Sequence, residues 1–203
     1  MADTYDLLSL AEAKATLGQS ASATDLDTTI ASYVTAVSRV LDENCGPLVQ
    51  RTVTAEKYSG DGSSILRLRQ QPASSITSCT EYQGTVAVTL TVETIGTAPS
   101  AGCMLDPDTG LLYRRAGGWD YSWYPGRGNI TVTYTAGRYA NTAAVDARVK
   151  RAAGMLLRHL WAIDKGSGNM MFGEVDMPIP MGFAIPNRVR EMLSDFWLVP
   201  GFA

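Results

Sequence analysis

His159 is the only histidine in the 203-residue chain, so a serine or cysteine hydrolase that relies on an imidazole base would have to use it. It falls at the edge of a basic helical face near Arg148, and no recognisable serine or cysteine nucleophile motif accompanies it. We therefore interpret His159 as structural and predict that the protein is not an enzyme. Under the alternative, a hydrolase that uses His159, the His159→Ala variant would lose activity.

Two groups of residues are of types that bind metal ions, aspartates and cysteines, but their spacing in the sequence is not that of a metal site. Asp106 and Asp108 resemble the first half of a calcium loop, but such a loop needs an acidic residue at its twelfth position, which is Gly117. We predict a β-turn there. The cysteines are odd in number and widely separated, which indicates buried thiols: Cys45, Cys79 and Cys103. Neither a Walker motif nor a dinucleotide fingerprint occurs, so no metal or cofactor is predicted.

A cluster of four aromatic residues is the pattern most typical of a ligand site: Trp119, Tyr121, Trp123 and Tyr124. Aromatic rings on the rim of a sheet stack on sugars or bases, so a carbohydrate-binding module that uses Trp119, Trp123 and Tyr124 is one hypothesis. Aromatic residues are also enriched at interfaces, so a loop folded onto the sheet or a subunit contact is the other. Capture by glycans and a monomeric mass would favour the first.

The clearest helical pattern runs from Val145 to Lys165. Apolar residues recur at i, i+3, i+4 and i+7 on one half of the circumference, and basic residues occupy much of the other. One face is therefore predicted to be buried and the other basic. Gly154 in the middle costs roughly 1 kcal/mol relative to alanine. Either it is simply tolerated, or it lets a neighbouring segment approach closely, which makes it a candidate subunit contact.

Two further helices are predicted near the N-terminus. Ser9 and Glu12 have the spacing of a capping box, and Gly18 is suited to end that helix. A second helix is predicted to begin at Thr24 and to end at Gly46. We expect these two helices to form a hairpin that packs against the 145–165 helix.

Between the helical parts the apolar period changes from 3.6 to 2, which is typical of strands. Five or six antiparallel strands are predicted, in the runs 49–58, 65–69, 76–82, 86–93, 111–115 and 129–135. The fold class is therefore α+β. We predict one domain of residues 1–165, with helical parts at 1–48 and 140–165 and a β-rich insertion at 49–139.

The last segment, 166–203, is predicted to be a docking arm. A Gly-Ser-Gly link leads into a Met- and Pro-rich stretch and then a short amphipathic helix that Asn187 would cap. The predicted anchors and flanking charges are Phe183, Arg188, Val189, Arg190, Met192, Leu193, Phe196 and Trp197. The alternative is that this helix folds back to cap the core of its own subunit.

The charge and hydropathy patterns exclude two classes of partner. The net charge is −3, residues 1–48 carry an acidic excess, and no segment has the excess of Lys and Arg that tight nucleic-acid binding requires. The most apolar stretch, 154–163, is interrupted by Arg158 and His159 and is too short to cross a membrane. The acidic start of the chain is unlike a secretory signal.

The order of these segments resembles the head-to-tail adaptor (head-tail connector) family of tailed double-stranded-DNA bacteriophages. The resemblance covers most of the chain and rests on LLSLAEAKATLG at 7–18, DENCGP at 42–47, VTAEKYSGDGSSILRLRQQP at 53–72, ITVTYTAGRY at 130–139 leading into VKRAAGMLLRHLW at 149–161, and GFAIPNRVREML at 182–193.

That resemblance implies a structural virion protein made in the host cytoplasm and placed at the head-tail interface. It implies a homo-oligomeric ring, usually twelvefold, that binds the portal protein above it and a head-closure or tail-terminator protein below it. DNA would pass through the lumen without specific binding. We expect the lateral contacts of the ring to join the β-rich middle of one subunit to the helical part of the next.

Overall fold

A computed structural model of the chain describes residues 3–94, 96, 101–165 and 185–197. The chain divides into two compact units. A helical unit comprises Met1–Val49 and Tyr139–Ala203, and a sheet unit comprises Gln50–Arg138. The sheet unit lies within the segment that the sequence predicts to be a β-rich insertion.

The described part of the helical unit contains four α-helices and two short 3-10 helices. In chain order they are α1 (Leu10–Leu17), α2 (Asp27–Cys45), a 3-10 helix (Thr142–Ala144), α3 (Ala147–Lys165), α4 (Asn187–Met192) and a 3-10 helix (Ser194–Phe196). Helix α3 packs against α1, α2 and α4. The N-terminal hairpin and the long helix are therefore packed together, as the sequence predicts.

Both ends of α1 follow local capping rules, whereas α2 begins without a side-chain cap. The capping box of α1 is confirmed: Ser9 N–H donates to Glu12 Oε2 at 2.8 Å, and Glu12 N–H donates to Ser9 Oγ at 3.3 Å. Gly18 ends α1 with a φ of 69°, a value that favours glycine. Helix α2 begins at Asp27, three residues after the predicted Thr24. Asp27 N–H donates to Thr24 O at 3.1 Å in a turn before the helix, and Lys14 Nζ donates to Ala23 O at 2.7 Å.

The core of the helical unit is aliphatic. Its buried residues come from both sequence segments of the unit and include Leu7, Ile30, Val34, Leu41, Leu48, Val149, Leu156, Leu157, Val189 and Leu193. Because the buried positions of α2 and α3 recur at helical spacing, each helix gives this core one continuous stripe.

The sheet unit is larger than predicted. Its eight strands are β1 (Arg51–Gly60), β2 (Ile65–Arg67), β3 (Ala73–Gln83), β4 (Val86–Glu93), β5 (Gly102–Asp106), β6 (Leu111–Ala116), β7 (Trp119–Asp120) and β8 (Gly126–Ala136). They pair in the order β1-β8-β3-β4-β5-β6-β2, and β7 pairs with β6.

Two strands and one pairing direction were not anticipated. β5 has no alternating pattern because all five of its residues, on both faces, are buried or half-buried, and β7 has only two residues. The expectation of a purely antiparallel sheet is wrong, because β4 and β5 run parallel, with Thr91 opposite Gly102. Periodicity shows which residues face inward but not the direction of a strand.

The core of the sheet unit contains aromatic, aliphatic and thiol groups. It is built from Tyr58, Leu66, Leu68, Cys79, Leu90, Cys103, Leu105, Leu112, Trp123, Ile130, Val132 and Tyr134. All three cysteines of the chain are free and buried, as predicted. The neighbouring Cys103 thiol and burial both raise the pKa of Cys79, so this thiol stays neutral.

Candidate functional site: an aromatic loop and an interhelical cleft

The predicted aromatic cluster forms a loop whose backbone is held in place at several points. We define the aromatic loop as residues 117–125. Gly117 and Gly118, with φ of 59° and 89°, make the turn from β6 into β7. Beyond it Tyr121 N–H donates to Arg114 O at 2.9 Å, and Trp123 N–H donates to Ser63 O at 2.8 Å. The loop is therefore fixed before any partner arrives.

The loop exposes three of its four aromatic side chains. Trp119 is 81% exposed, Tyr121 51% and Tyr124 46%, whereas Trp123 is 0% exposed. The prediction that Trp123 belongs to a stacking platform is wrong, because its indole is part of the sheet core. The hypothesis of a carbohydrate-binding module therefore loses one of the three rings that it proposed for stacking on sugars.

A buried ion pair beneath the loop orients it, and sequence reasoning missed this pair. Glu81 Oε1 accepts from Tyr124 N–H at 2.7 Å, and Glu81 Oε2 lies 3.6 Å from Arg114 Nη2. Arg114 also donates to Gly102 O at 3.1 Å, and its guanidinium lies 5.2 Å from the centroid of the Tyr121 ring. One pair of charges thus fixes both a backbone group and a ring of the loop.

The strand pattern held a signal for this pair. Glu81 lies two residues after buried Cys79, and Arg114 lies two residues after buried Leu112. Alternation therefore places both charged side chains on the inward faces of β3 and β6.

A second polar cluster ties β1 to β8 and to the chain after β2. Glu56 Oε2 accepts from the hydroxyls of Tyr58 and of Tyr134, the latter at 2.7 Å. The two hydroxyls in turn accept from Arg69 N–H at 3.0 Å and from Gln70 N–H at 3.1 Å. Burial, followed by the Glu56 hydrogen bond, raises the pKa of Tyr134 to about 12 and also raises the pKa of Tyr58.

Gly154 does allow a close approach, but the neighbour is α1 of the same unit. A Cβ at Gly154 would lie 3.2 Å from Thr16 Cγ2. Gly154 itself is buried, so it is not directly a contact residue on the surface.

Beside it lies an open cleft of about 270 Å³ between α1 and α3, which we call the interhelical cleft. Its lining is Ala15, Thr16, Lys150, Arg151, Gly154, Met155 and Arg158. Lys150 Nζ donates to Glu12 Oε1 at 2.7 Å, and Arg158 Nε donates to Thr16 O. These two cations are therefore already engaged within the unit.

The C-terminal helix caps the core of its own unit. Val189 and Leu193, which were predicted to be docking anchors, are fully buried there and are not accessible to a partner. Met192, Phe196 and Trp197 are partly buried against the same core. The helix follows Pro186 with no side-chain cap, which corrects the expected Asn187 cap.

Charged groups reinforce this packing. Arg148 Nη1 donates to Asp195 Oδ2 at 3.0 Å, and the Arg148 guanidinium lies 4.9 Å from the centroid of the Phe196 ring. Arg188 and Arg190 are exposed. Phe183 lies outside the described residues.

His159, metal-binding groups and membrane-spanning helices were the remaining features weighed in the sequence. His159 is half-buried on α3. Among the described residues, no group of three or more His, Cys, Asp or Glu side chains is placed to hold a metal ion. No helix in the described ranges is long and apolar enough to span a membrane.

The fold has relatives among solved structures although sequence comparison finds none. No protein-family model matches the chain, and no curated protein does. A chain in the neck of an empty gene transfer agent (GTA) particle, computed with C6 symmetry, matches with a TM-score of 0.62 and 17% identity over 97% of this chain and 94% of that one.

A chain in the virion of a native GTA particle matches with a TM-score of 0.56 and 18% identity, over the same shares of the two chains. At this level of identity the shared property is the fold. The likeness extends over nearly the whole length of each chain, so it includes both the helical and the sheet unit.

Proposed function

We propose that this chain is a structural virion protein of a particle neck, a head-to-tail adaptor that forms a ring between the portal and the head-closure or tail-terminator protein. The observation that carries the proposal is the match, over 97% of the chain, to a chain in a GTA particle neck. The segment-by-segment resemblance of the sequence to phage adaptors supports the same role independently. DNA crosses the lumen of this ring without specific binding.

A ring is supported by the symmetry with which that neck was computed. Closed rings of identical chains use heterologous contacts, in which two different surfaces of each subunit meet. A map computed with sixfold symmetry is compatible with six copies and also with twelve, because a twelvefold axis contains a sixfold one. Twelve copies is the number that the sequence resemblance favours.

The portal is the partner proposed for the C-terminal arm. Because Val189 and Leu193 are already buried in their own unit, docking must use the groups that remain accessible. In the described part of the arm these include Arg188, Arg190 and the partly exposed Trp197. The apolar stretch at 166–184, with Phe183, completes the proposed docking surface.

The experiment that tests this role is co-sedimentation of the purified full-length chain with portal rings of the particle that encodes it. The adaptor role predicts saturable binding with a fixed ratio of chains to portal subunits, such as one chain per portal subunit. Failure to bind portal rings, together with absence of the chain from the neck of purified particles, would contradict the role.

A carbohydrate-binding module is the second candidate, and the exposure of Trp119, Tyr121 and Tyr124 on a fixed loop is what favours it. It predicts capture by immobilised glycans and a monomeric mass at all concentrations. Loss of glycan capture in Tyr124→Ala, with the fold unchanged, would distinguish a real site from non-specific adsorption.

A further inference from the structure

Among the described residues of the sheet unit, Trp119 is the most exposed large apolar side chain. It lies in β7, directly after the Gly117-Gly118 turn, on a loop whose backbone is pinned to the sheet. A rigid, exposed indole adds large contact area at small entropic cost, which is why tryptophan is enriched among the residues that dominate interfaces. Trp119 therefore has the exposure and the fixed backbone of a side chain that inserts into a partner.

The helical unit offers a small open cleft as the counterpart. The interhelical cleft has a volume of about 270 Å³, below the range of about 300–1,000 Å³ that is typical of sites for drug-sized ligands. Small residues, Ala15 and Gly154, line part of it, and the methyl group of Thr16 lies beside Gly154. A single aromatic side chain is the occupant that such a cleft fits.

The cleft also has the chemistry that an indole prefers. Guanidinium groups attract the face of a tryptophan ring more strongly than that of other aromatics, and a thioether makes favourable contacts with the ring edge. Arg151, Arg158 and Met155 supply these groups at the cleft.

The charges beside Trp119 and beside the cleft are complementary, which favours Trp119 of a second copy of this chain as the group that enters the cleft. Asp120, which follows Trp119, and Arg151, at the cleft, are both exposed, and neither forms an ion pair with any residue that the structure describes. An Asp120–Arg151 pair between copies would match the two free charges when the ring enters the cleft.

We propose that Trp119 of one copy inserts into the interhelical cleft of the next, where Asp120 pairs with that copy's Arg151. Trp119 belongs to the sheet unit and the cleft to the helical unit, so the contact is heterologous, and its repetition forms a ring when the rotation between neighbouring copies divides the circle. The inference rests on the ring-forming role proposed above and names the residues of its lateral contact.

Disulfide trapping of the full-length chain tests the contact. In a variant with both Asp120→Cys and Arg151→Cys, which keeps the Trp119 ring and Met155, oxidised glutathione is expected to link neighbouring copies into dimers and higher multimers, two protein thiols giving one disulfide and two molecules of reduced glutathione. The native cysteines are buried, so background linkage is low. Each single variant should give no ladder beyond a dimer. A double variant that remains monomeric, or that links only within one chain, would overturn the proposal.

Two matched substitutions on α1 give the control. Ala15 lies at the cleft and Ala11 does not, and both are exposed. Ala15→Phe is expected to fill the cleft and abolish the cross-linked ladder, whereas Ala11→Phe should leave it unchanged. Equal ladders in the two variants would contradict occupation of the cleft.

The variant Trp119→Ala separates this contact from the adaptor role. It is expected to weaken self-association about 30-fold or more, the effect of losing a hot-spot aromatic residue. Particle necks that still contain a complete ring of the Trp119→Ala chain would contradict the proposed contact but not the adaptor role. Binding of the chain to portal rings reports on the role alone.

Discussion

The side chains of Glu81 and Arg114 show how buried charge positions an exposed surface. We expect Arg114→Met to destabilise the sheet unit by about 3–5 kcal/mol, because Glu81 would keep its buried charge without its ion-pair partner. Urea denaturation followed by tryptophan fluorescence measures this. The exposed Arg127 gives the control, Arg127→Met, which should change stability by less than about 0.5 kcal/mol. Similar effects of the two substitutions would contradict the role of the pair.

The buried tyrosines predict an alkaline limit to stability. The pKa of Tyr134 is about 12 in the folded chain against an ordinary value of 10.0, so the unfolded phenol ionises first. The contribution of Tyr134 to stability is therefore constant below pH 10 and falls as the pH rises from 10 towards 12, by up to about 1.4 kcal/mol per pH unit.

The variant Tyr134→Phe isolates that contribution. It should be less stable at neutral pH because the hydrogen bonds with Glu56 and Gln70 are lost, but its stability should fall less steeply between pH 10 and 12. Urea midpoints at pH 8, 10 and 11 supply the comparison. Parallel curves for the two proteins would show that Tyr134 does not set the limit.

Alternation along strands holds the signal that places Glu81 and Arg114 inside, although sequence reasoning missed both residues, but alternation does not place the aromatic loop. Trp119, Tyr121 and Trp123 share one face by period 2, yet only Trp123 is buried. The period fails because β7 ends at Asp120 and the chain then turns, with Trp123 N–H bound to Ser63 O across the sheet unit. That contact joins residues far apart in sequence, so no local pattern reveals it.

At the scale of elements, α4 and the residue after it are expected to hold the helical unit together. Leu193→Ala removes a fully buried side chain and should cost about 2–5 kcal/mol of unfolding free energy. Arg188→Ala, at an exposed position of the same helix, is the control and should cost less than about 0.5 kcal/mol. A chain that ends at Lys165 should likewise lose stability. An unchanged thermal midpoint in that shortened chain would contradict the capping role.

Portal docking by the same arm makes a different prediction. Because Arg188 and Arg190 are exposed and contribute little to the core, the variant with both Arg188→Glu and Arg190→Glu should fold normally and bind portal rings more weakly, by about tenfold. Co-sedimentation at several salt concentrations measures the loss. If portal binding is unaffected while Leu193→Ala still unfolds the unit, the described part of the arm is purely structural.

Helices were predicted more accurately than strands because their signals are local. The capping box at Ser9 and Glu12 and the glycine at position 18 fixed α1 to the residue. β5 was missed because it is buried on both faces and therefore shows no alternation. Its parallel pairing with β4 depends on the arrangement of the whole sheet and leaves no local signal. The burial of Val189 and Leu193 likewise depended on which core their apolar face would meet.

For the whole molecule, the net charge of −3 predicts weak contact with DNA. We expect the isolated chain to bind duplex DNA no more tightly than about 10⁻⁴ M at physiological salt, the weak end of non-specific binding, because few phosphates would be neutralised. Fluorescence anisotropy with a labelled duplex measures this over a salt series. Micromolar binding that falls steeply with salt would contradict free passage of DNA through the ring.

Electron microscopy of the neck in particles that carry the chain tests whether the chain forms a ring there. We expect a closed ring of copies between portal and tail, with Trp119 of each copy against the interhelical cleft of its neighbour. A neck without this chain, or with the chain present as isolated copies instead of a ring, would contradict it.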